Sequence, residues 1–425
     1  MHPENQTLET LRFLTPEIAR DIAERHGTPV YIYDEATLRK RAGECLAFPH
    51  AHGLTVRYAM KACPNRRILK LFHELGLHID ASSGHEVERA LAAGIPADHI
   101  SLSAQELPRN LGVLLDQGVL LNATSLEQIK TAGILRRGSE IGLRFNPGLG
   151  SGGTNRTNVG GPASSFGIWH EHANEAAALL RTYQLKCVRI HTHIGSGGDP
   201  AVWQRVAGLS LALVERFEHV VALDLGGGFK VARMRTETGT DLQNAGAPVK
   251  EALENFAAKT GRKIHLEIEP GTYLVANAGC LLSTVQDVVD TGKDGYLFYR
   301  LDTGMTDVLR PSLYGAQHPL VVIPRTARED TGPVREVIVV GHCCESGDIL
   351  TPAPGDPEAL SPRPMEGAEI GDFMVIEGVG AYCASMSTRN YNSFPASPEV
   401  LLSVNRNPVL IRKRQPVEEI WRLEC

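Results

Sequence analysis

The chain has 425 residues, 42% of them hydrophobic and 22% charged, which is enough for two globular domains. Its net charge of −6, spread over scattered ionic residues, excludes the basic footprint of a protein that binds nucleic acid or anionic membranes. No run approaches the ~18 apolar residues of a membrane span, and the polar first residues lack the features of a signal peptide, so we expect a cytoplasmic protein. Eight cysteines without a CxxC pair predict neither a disulfide framework nor a metal site.

The N-terminal segment, residues 1–34, is predicted to supply a helix and a strand that pack on a C-terminal domain. The strand is the apolar, β-rich run at residues 29–33.

From residue 35 to residue 285, strand-like runs alternate with amphipathic helical patterns, for example at residues 66–75, 84–93 and 126–136. The predicted strands are Leu54–Met60, Leu77–Asp80, Ile100–Leu102, Val119–Asn122, Ile141–Phe145, Cys187–Thr192, Ala222–Leu225 and Ile264–Ile268. Eight strands that alternate with helices predict an α/β fold, a (β/α)8 TIM barrel. A doubly wound parallel sheet is the alternative.

The pattern changes towards the C-terminus, where short strands are separated by proline and glycine turns. The predicted strands there are Tyr296–Leu301, Leu320–Ile323, Val334–Val340, Phe373–Ile376 and Val409–Arg412. Residues 286–425 are therefore expected to form a second, mainly β domain.

Barrels of this type carry their chemistry at the carboxyl ends of the strands. Polar or glycine-rich residues stand at six of these ends: Lys61, Asp80-Ala81-Ser82, Arg144-Phe145-Asn146, His193-Ile194-Gly195-Ser196, Gly226-Gly227-Gly228 and Glu269-Pro270-Gly271. We therefore expect an active site at this end of the barrel.

Lys61 follows a buried strand and directly precedes a helix start. This position predicts a desolvated amine, which is the nucleophile of Schiff-base chemistry. Taken alone, however, a lysine at a strand end is more often solvated.

Three other strand ends also permit a functional and a structural interpretation. The glycines at 226–228 could bring backbone N–H groups close to a phosphate, or could simply form a tight turn. Glu269 could pair with a protonated ring nitrogen, or could be a structural carboxylate or helix cap. His193 could stack on a flat cofactor, or could be a core residue.

Six motifs taken together carry a specific resemblance to a known family. They are Tyr58-Ala59-Met60-Lys61-Ala62, His193-Ile194-Gly195-Ser196, Gly226-Gly227-Gly228, Glu269-Pro270-Gly271, Cys344-Glu345-Ser346-Gly347-Asp348 and Gly380-Ala381-Tyr382. Their order resembles that of the fold-type III decarboxylases dependent on pyridoxal 5'-phosphate (PLP), and most closely the diaminopimelate decarboxylase branch, over residues 28–412. The resemblance implies a TIM barrel with an additional β-domain.

The resemblance implies several cofactor contacts. Lys61 looks like the lysine that holds PLP as a Schiff base, His193 like the residue stacked on its ring, and Glu269 like the partner of its pyridinium nitrogen. The implied phosphate ligands are Ser196, Gly227, Gly228 and Gly271, with Tyr382 close to the phosphate and the substrate.

The resemblance also implies substrate contacts. Arg310 and Tyr314 match residues that hold the substrate's distal carboxylate, and Tyr382 matches a tyrosine that lies near the substrate. Cys344, the implied proton donor, and Glu345 match residues inserted into the partner subunit's site. A homodimer with shared active sites is therefore implied.

One position departs from the family. The usual Glu-Pro-Gly-Arg reads Glu269-Pro270-Gly271-Thr272 here, and threonine cannot form a bidentate ion pair with a carboxylate. Either another arginine substitutes, with Arg144 and Arg156 as candidates, or the substrate differs.

The implied activity is decarboxylation of meso-2,6-diaminopimelate to L-lysine and CO2, a step of lysine biosynthesis. One alternative is a decarboxylase of a related carboxylated amino acid or diamine in a side pathway. Another is a non-catalytic PLP-binding protein, although such proteins resemble the isolated barrel and lack residues corresponding to 286–425. A racemase would need a tyrosine base that the sequence does not place.

Overall fold

The computed structural model describes residues 8–150, 160–193, 195, 199–328 and 332–425. The chain divides into two compact units. One comprises residues 39–230 and 238–274, and the other comprises residues 1–38, 231–237 and 275–425. Among the described residues, no helix combines the length and the apolar character needed to cross a membrane.

The first of these units is a closed parallel barrel. Numbered along the chain, the first ten strands are β1 (Val30–Asp34), β2 (Leu54–Ala59), β3 (His78–Ala81), β4 (Ile100–Leu102), β5 (Leu120–Ala123), β6 (Glu140–Asn146), β7 (Ile168–Trp169), β8 (Lys186–Thr192), β9 (Ala222–Asp224) and β10 (His265–Ile268). The barrel order is β2-β3-β4-β5-β6-β8-β9-β10, and β10 pairs with β2 to close the sheet, while β7 lies beside β6. The predicted (β/α)8 barrel is confirmed, and the doubly wound alternative is wrong because the sheet has no open edge.

The helices follow the predicted alternation. They are α1 (Pro16–His26), α2 (Glu35–Leu46), α3 (Arg66–Glu74), α4 (Gly84–Ala92), α5 (Leu111–Asp116), α6 (Leu126–Leu135), α7 (Ala173–Tyr183), α8 (Pro200–Glu215), α9 (Leu242–Thr260), α10 (Thr272–Val275) and α11 (Arg310–Tyr314). Polar caps determine where several of them begin. The side chains of Asn65, Ser83 and Ser125 accept backbone N–H bonds at the starts of α3, α4 and α6.

The barrel interior contains a buried charge cluster. Glu267 on β10 accepts two hydrogen bonds from Arg57, at 2.8 and 3.0 Å, and two from Arg189, at 2.9 and 3.1 Å. All three residues are buried. Two bidentate pairs satisfy the carboxylate, which compensates for its removal from water.

The second unit is mainly β, as predicted. Its further strands are β11 (Gly279–Asp290), β12 (Leu297–Leu301), β13 (Leu320–Ile323), β14 (Arg335–Val340), β15 (Pro352–Ala353), β16 (Asp356–Leu360), β17 (Arg363–Met365), β18 (Phe373–Glu377), β19 (Glu399–Leu402) and β20 (Pro408–Arg412). β1 lies between β11, to which it is antiparallel, and β19, to which it is parallel. Buried side chains of β1, β11, β18 and β19 pack with α1 in one apolar core.

The expected domain boundaries lie after residues 34 and 285, whereas the observed units divide after residues 38 and 274, and residues 231–237 belong to the β unit rather than to the barrel. The barrel unit ends at Leu274 and the β unit resumes at Val275. The reason is β11, a strand of 12 residues that begins at Gly279 and pairs with β1 and β18.

Candidate active site

Side chains from neighbouring barrel strands converge at their carboxyl ends. Lys61 follows β2, Asp80 lies on β3, Arg144 on β6, and His193 follows β8. Glu269 follows β10, which pairs with β2. The strand ends predicted to carry chemistry therefore lie at one end of the barrel, as the closed parallel sheet requires.

Lys61 lies in a short 3-10 turn, Met60–Ala62, rather than on the strand itself. Its two neighbours are buried, but the lysine side chain is exposed, so the expectation of a desolvated amine is wrong for the isolated chain. The strand that precedes this turn ends at Ala59, two residues before Lys61.

The turn that carries Lys61 packs closely on Gly271. The backbone N–H of Ala59 donates to the carbonyl of Pro270 at 3.2 Å. A Cβ at Gly271 would lie 3.3 Å from the Cβ atoms of both Ala59 and Ala62. A larger residue at 271 would displace the turn, which links this glycine to the position of the lysine.

Glu269 is a buried carboxyl group with an unused hydrogen-bonding atom. Its Oε1 has no partner among the described residues. Burial raises the pKa of Glu269 to about 8, and the negative charge of Asp80 adds to the rise. The interaction with Asp224 opposes this rise in the pKa of Glu269, while burial raises the pKa of Asp224 well above its usual value. Burial thus shifts both carboxyl groups towards their protonated forms.

His191 completes this buried cluster. Its Nε2 lies 3.2 Å from Glu269 Oε2, outside hydrogen-bonding geometry, and its Nδ1 lies 3.3 Å from Ser103 Oγ. Burial lowers the pKa of His191 to about 4, so the ring is neutral at pH 7 and the contact with Glu269 is no ion pair. Donor atoms of His191, Asp224 and Glu269 lie within 4.8 Å of one another, a spacing that could also accommodate a metal ion.

His193 presents an uncharged ring at the same strand end. Its Nδ1 has no hydrogen-bond partner in the described part of the chain. Desolvation lowers the pKa of His193 well below its usual value, and the charges of Arg144 and Lys61 lower it further. The ring lies against Gly226, where a Cβ would approach Nδ1 to 2.6 Å.

The glycines after β9 form a loop without side chains. Gly226 and Gly228 have φ values of +70° and +105°, which favour glycine. A Cβ at Gly227 would clash with the carbonyl oxygen of Glu269. The Gly226 N–H donates to Asp224 Oδ1 at 2.8 Å, so the loop is also tied to the carboxyl pair. The predicted phosphate ligand Ser196 lies outside the described residues.

These features fit a flat, protonated heteroaromatic ring that carries an anionic group. The unpaired Oε1 of Glu269 can accept a hydrogen bond from the N–H group of a protonated ring. The positive charge of that ring would favour the ionised form of Glu269, which burial disfavours. A neutral imidazole suits stacking, and backbone without side chains allows a phosphate to approach closely.

The predicted substrate residues of the β unit include a cation close to an aromatic ring. The guanidinium carbon of Arg310 lies 5.8 Å from the ring centroid of Tyr314, one turn along α11. Arg310 Nε is buried and has no partner within the described ranges. Tyr382 has a φ of +56°, a conformation that is unfavourable for a residue with a side chain.

Cys344 and Glu345 stand on an exposed loop of the β unit. The loop is held by Asp348, whose carboxylate accepts the backbone N–H groups of Met305 at 2.6 Å and Cys343 at 2.9 Å. The backbone N–H of Cys344 donates to Asn392 at 2.9 Å. The side chains of Cys344 and Glu345 are therefore presented by a fixed backbone.

Several residues of this arrangement were not predicted as site residues. His191, Asp224 and Glu267 stand two positions before His193, Gly226 and Glu269, so each pair faces the same side of its strand. Period-two alternation of polar residues at the strand ends could have identified them. Of the two arginines proposed to replace the missing one, Arg144 is buried in the barrel with its guanidinium carbon 5.5 Å from the ring of Phe166. Arg156 lies outside the described residues.

Comparison with known proteins gives consistent matches over almost the whole chain. Residues 39–276 match the pyridoxal binding domain of the pyridoxal-dependent decarboxylases. A diaminopimelate decarboxylase of Streptomyces coelicolor is 36% identical over 411 residues, covering 95% of this chain and 91% of that protein. The diaminopimelate decarboxylase of Escherichia coli K12 is 35% identical over 418 residues and 97% of both chains.

Solved structures agree with these sequence matches. A crystal structure of a diaminopimelate decarboxylase superposes with a TM-score of 0.90 at 34% identity, covering 97% of each chain. The Helicobacter pylori diaminopimelate decarboxylase, solved in complex with L-lysine, superposes with a TM-score of 0.83 at 29% identity and covers 95% of this chain and 98% of that one.

Proposed function

The chain belongs to the pyridoxal-dependent decarboxylases, and we propose that it converts meso-2,6-diaminopimelate to L-lysine and CO2. It is a PLP-dependent amino-acid decarboxylase. The observation that carries the choice of substrate is the match to relatives named diaminopimelate decarboxylase, which extends through both units of the chain. The β unit also argues against a non-catalytic PLP-binding protein, because such proteins resemble the barrel alone.

The barrel residues would bind and orient the cofactor. When bound, PLP supplies an electron sink for the electron pair that remains after the α-carboxylate leaves as CO2. We assign the attachment point to the Lys61 amine, which stands exposed at the carboxyl end of β2. The neutral His193 ring would stack on the cofactor, and Glu269 would keep the ring nitrogen protonated.

The phosphate would be bound chiefly by backbone. Gly227 and Gly228 belong to the loop without side chains after β9, and Gly271 packs on the turn that carries Lys61. Ser196 and Tyr382 are the further ligands proposed from the resemblance. Because Gly227 leaves no space for a Cβ beside Glu269, the loop and the carboxylate must keep their spacing.

The β unit would contribute substrate contacts and the proton donor. Arg310 and Tyr314 are proposed to bind the distal carboxylate, with Tyr382 close by, and Glu345 is proposed to bind the distal ammonium group. Cys344 is proposed to donate the proton that replaces the departing CO2. A substrate without the distal carboxylate would leave Arg310 unpaired, at a cost of about 1–3 kcal/mol.

We further propose a homodimer in which each subunit inserts Cys344 and Glu345 into the other's site. The support is that both side chains are exposed in the single chain, although their loop is firmly held by Asp348. The cytoplasmic location also stays a proposal from the sequence.

Decarboxylation of a related carboxylated amino acid is the second candidate, because Thr272 removes one arginine that the family uses. The test measures CO2 release from meso-diaminopimelate, L-lysine, L-ornithine, L-arginine and carboxynorspermidine under identical conditions. We expect diaminopimelate to have the highest kcat/KM and L-lysine to accumulate as product. Turnover of another substrate without measurable turnover of diaminopimelate would establish the second candidate instead.

A further inference from the structure

Arg233 is a buried arginine that the proposed mechanism leaves without a role. It belongs to the segment 231–237 of the β unit and its residue surface is only 8% exposed. Its Nε donates to the carbonyl of Gly378 at 3.0 Å, while its Nη2 is buried without a partner among the described residues. Gly378 has a φ of +69°, and a Cβ there would lie 3.1 Å from Arg233 Cγ. The side chain is thus held in one place with donor capacity unused.

Arg310 of the same unit is in a similar state. Its Nε is also buried without a partner in the described part of the chain. Burial and, to a smaller extent, the positive charge of Arg310 lower the pKa of Arg233 to about 9. The two cations therefore repel each other. Both cations also lower the pKa of the buried His318, after the larger effect of burial.

The carboxylates of this region have other hydrogen bonds. Glu237 accepts the backbone N–H groups of Arg233, at 2.7 Å, and of Met234, at 3.2 Å. Glu377 accepts the backbone N–H of Arg12 at 3.1 Å. Within the described ranges, no carboxylate accepts a hydrogen bond from the guanidinium group of Arg233 or Arg310.

Arg233 is buried and Arg310 is half-buried, and each holds a buried N–H donor without a partner among the described residues. Two like charges in this state are costly unless an anion joins them. Guanidinium donors match the two oxygens of a carboxylate in geometry and charge. An anion that binds here would satisfy both arginines and remove their mutual repulsion.

We propose that Arg233 is a specificity-determining residue that binds the substrate's distal carboxylate together with Arg310. Arg233 would then supply the second guanidinium that Thr272 cannot provide. This inference rests on the proposed function, since it assigns the subsite for one end of that substrate. The required ligand chemistry is a carboxylate at the end of a short aliphatic chain.

The experiment measures binding of pimelate, a dicarboxylate without amines, to the PLP-loaded enzyme by calorimetry. Cadaverine, a diamine without carboxylates, serves as the second probe. We expect Arg233→Gln and Arg310→Gln each to weaken pimelate binding by about 10- to 100-fold and to leave cadaverine binding unchanged. In kinetics, Arg233→Gln should raise KM for diaminopimelate by a similar factor and change kcat by less than about threefold.

Arg235→Gln is the matched control, since Arg235 is an exposed arginine of the same segment. It should leave both probes and the kinetics unchanged. If circular dichroism and the melting temperature show that Arg233→Gln does not fold, pimelate binding is measured on Arg233→Lys instead. Lysine keeps the charge but loses the planar fork, so we expect pimelate binding about 3- to 10-fold weaker.

Unchanged pimelate binding in a folded Arg233→Gln or Arg233→Lys enzyme would overturn the inference, as would a wild-type enzyme without affinity for pimelate. If diaminopimelate is turned over with unchanged KM in the folded Arg233→Gln variant, the inference fails and the proposed function stands. If diaminopimelate is not a substrate but pimelate binding depends on both arginines, the proposed function fails and the carboxylate subsite stands.

Discussion

Replacing Glu267 by glutamine tests whether the charge cluster inside the barrel stabilises the fold. Glu267 accepts four hydrogen bonds from the buried side chains of Arg57 and Arg189. Glutamine has nearly the same shape but only one acceptor oxygen and no charge. The variant would leave two buried cations without their shared anion, the kind of change that costs about 3–5 kcal/mol.

The pKa of Glu267 gives an independent measure of how much this charge cluster contributes to the free energy of unfolding. Burial would raise the pKa, but the charges of Arg57 and Arg189 overcome it and lower the value from 4.5 to about 2. Because the folded-state pKa lies below the unfolded one, the stabilisation is fully present above pH 4.5 and is lost as the pH falls towards 2. A lowering of this size corresponds to about 3 kcal/mol at pH 7, of which about 1 kcal/mol remains at pH 3.

The assay is thermal unfolding of the wild type and Glu267→Gln at pH 7 and pH 3. A loss of about 3 kcal/mol should lower the melting temperature by roughly 6–12 °C at pH 7 for a unit of this size, and the difference should narrow at pH 3. Glu127→Gln is the control, because Glu127 forms an exposed pair with Lys130 at 2.9 Å, and it should cost less than about 0.5 kcal/mol. A deficit below about 1 kcal/mol, or one of equal size at both pH values, would refute the reasoning.

Three further predictions concern the active site. Borohydride reduction of the yellow enzyme should fix the PLP label on Lys61, and Lys61→Ala should lose the absorption band; a label on another lysine would show the assignment to be wrong. The two carboxylate oxygens of Asp348 accept hydrogen bonds from the N–H groups of Met305 and Cys343, and Asp348→Asn keeps only one acceptor oxygen. The loop that carries Cys344 should lose its fixed position, so kcat/KM should fall at least about tenfold while PLP absorbance is retained. Loss of PLP together with activity would point to misfolding instead. Hybrids of Lys61→Ala and Cys344→Ala subunits should regain part of the activity, because one of their two sites is intact, whereas verified heterodimers without activity would exclude shared sites.

Much of the barrel was predictable because its strands are short apolar runs bounded by polar ends. Ile100–Leu102 has the predicted bounds, and the strands predicted at 54–60 and 222–225 each end one residue earlier in the structure. A parallel barrel imposes this regularity, since every strand pairs with a strand on each side and is covered by helices on its outer face. The position of the site at the carboxyl ends followed from the same regularity.

The β unit was less predictable because its pairing is not local. The strand Gly279–Asp290 was missed, since its first half is buried and its second half is partly exposed, so no single period marks it. The strand Glu399–Leu402 was missed as well; one of its two neighbours, β1, lies hundreds of residues away in the sequence. The role proposed for Arg233 could not be derived from the sequence, because it rests on burial and on an unpaired Nη2 that only the fold produces.

The position of β1 has a consequence for how the protein is made. This strand, Val30–Asp34, is translated hundreds of residues before Glu399–Leu402, one of its two neighbours. During translation it therefore keeps an open edge until residues 399–402 have been made, and open edges invite pairing with other chains. A premature stop shortly before residue 399 would leave that edge exposed permanently. We expect such truncated products to be degraded or to aggregate, although every strand of the barrel is already present in them.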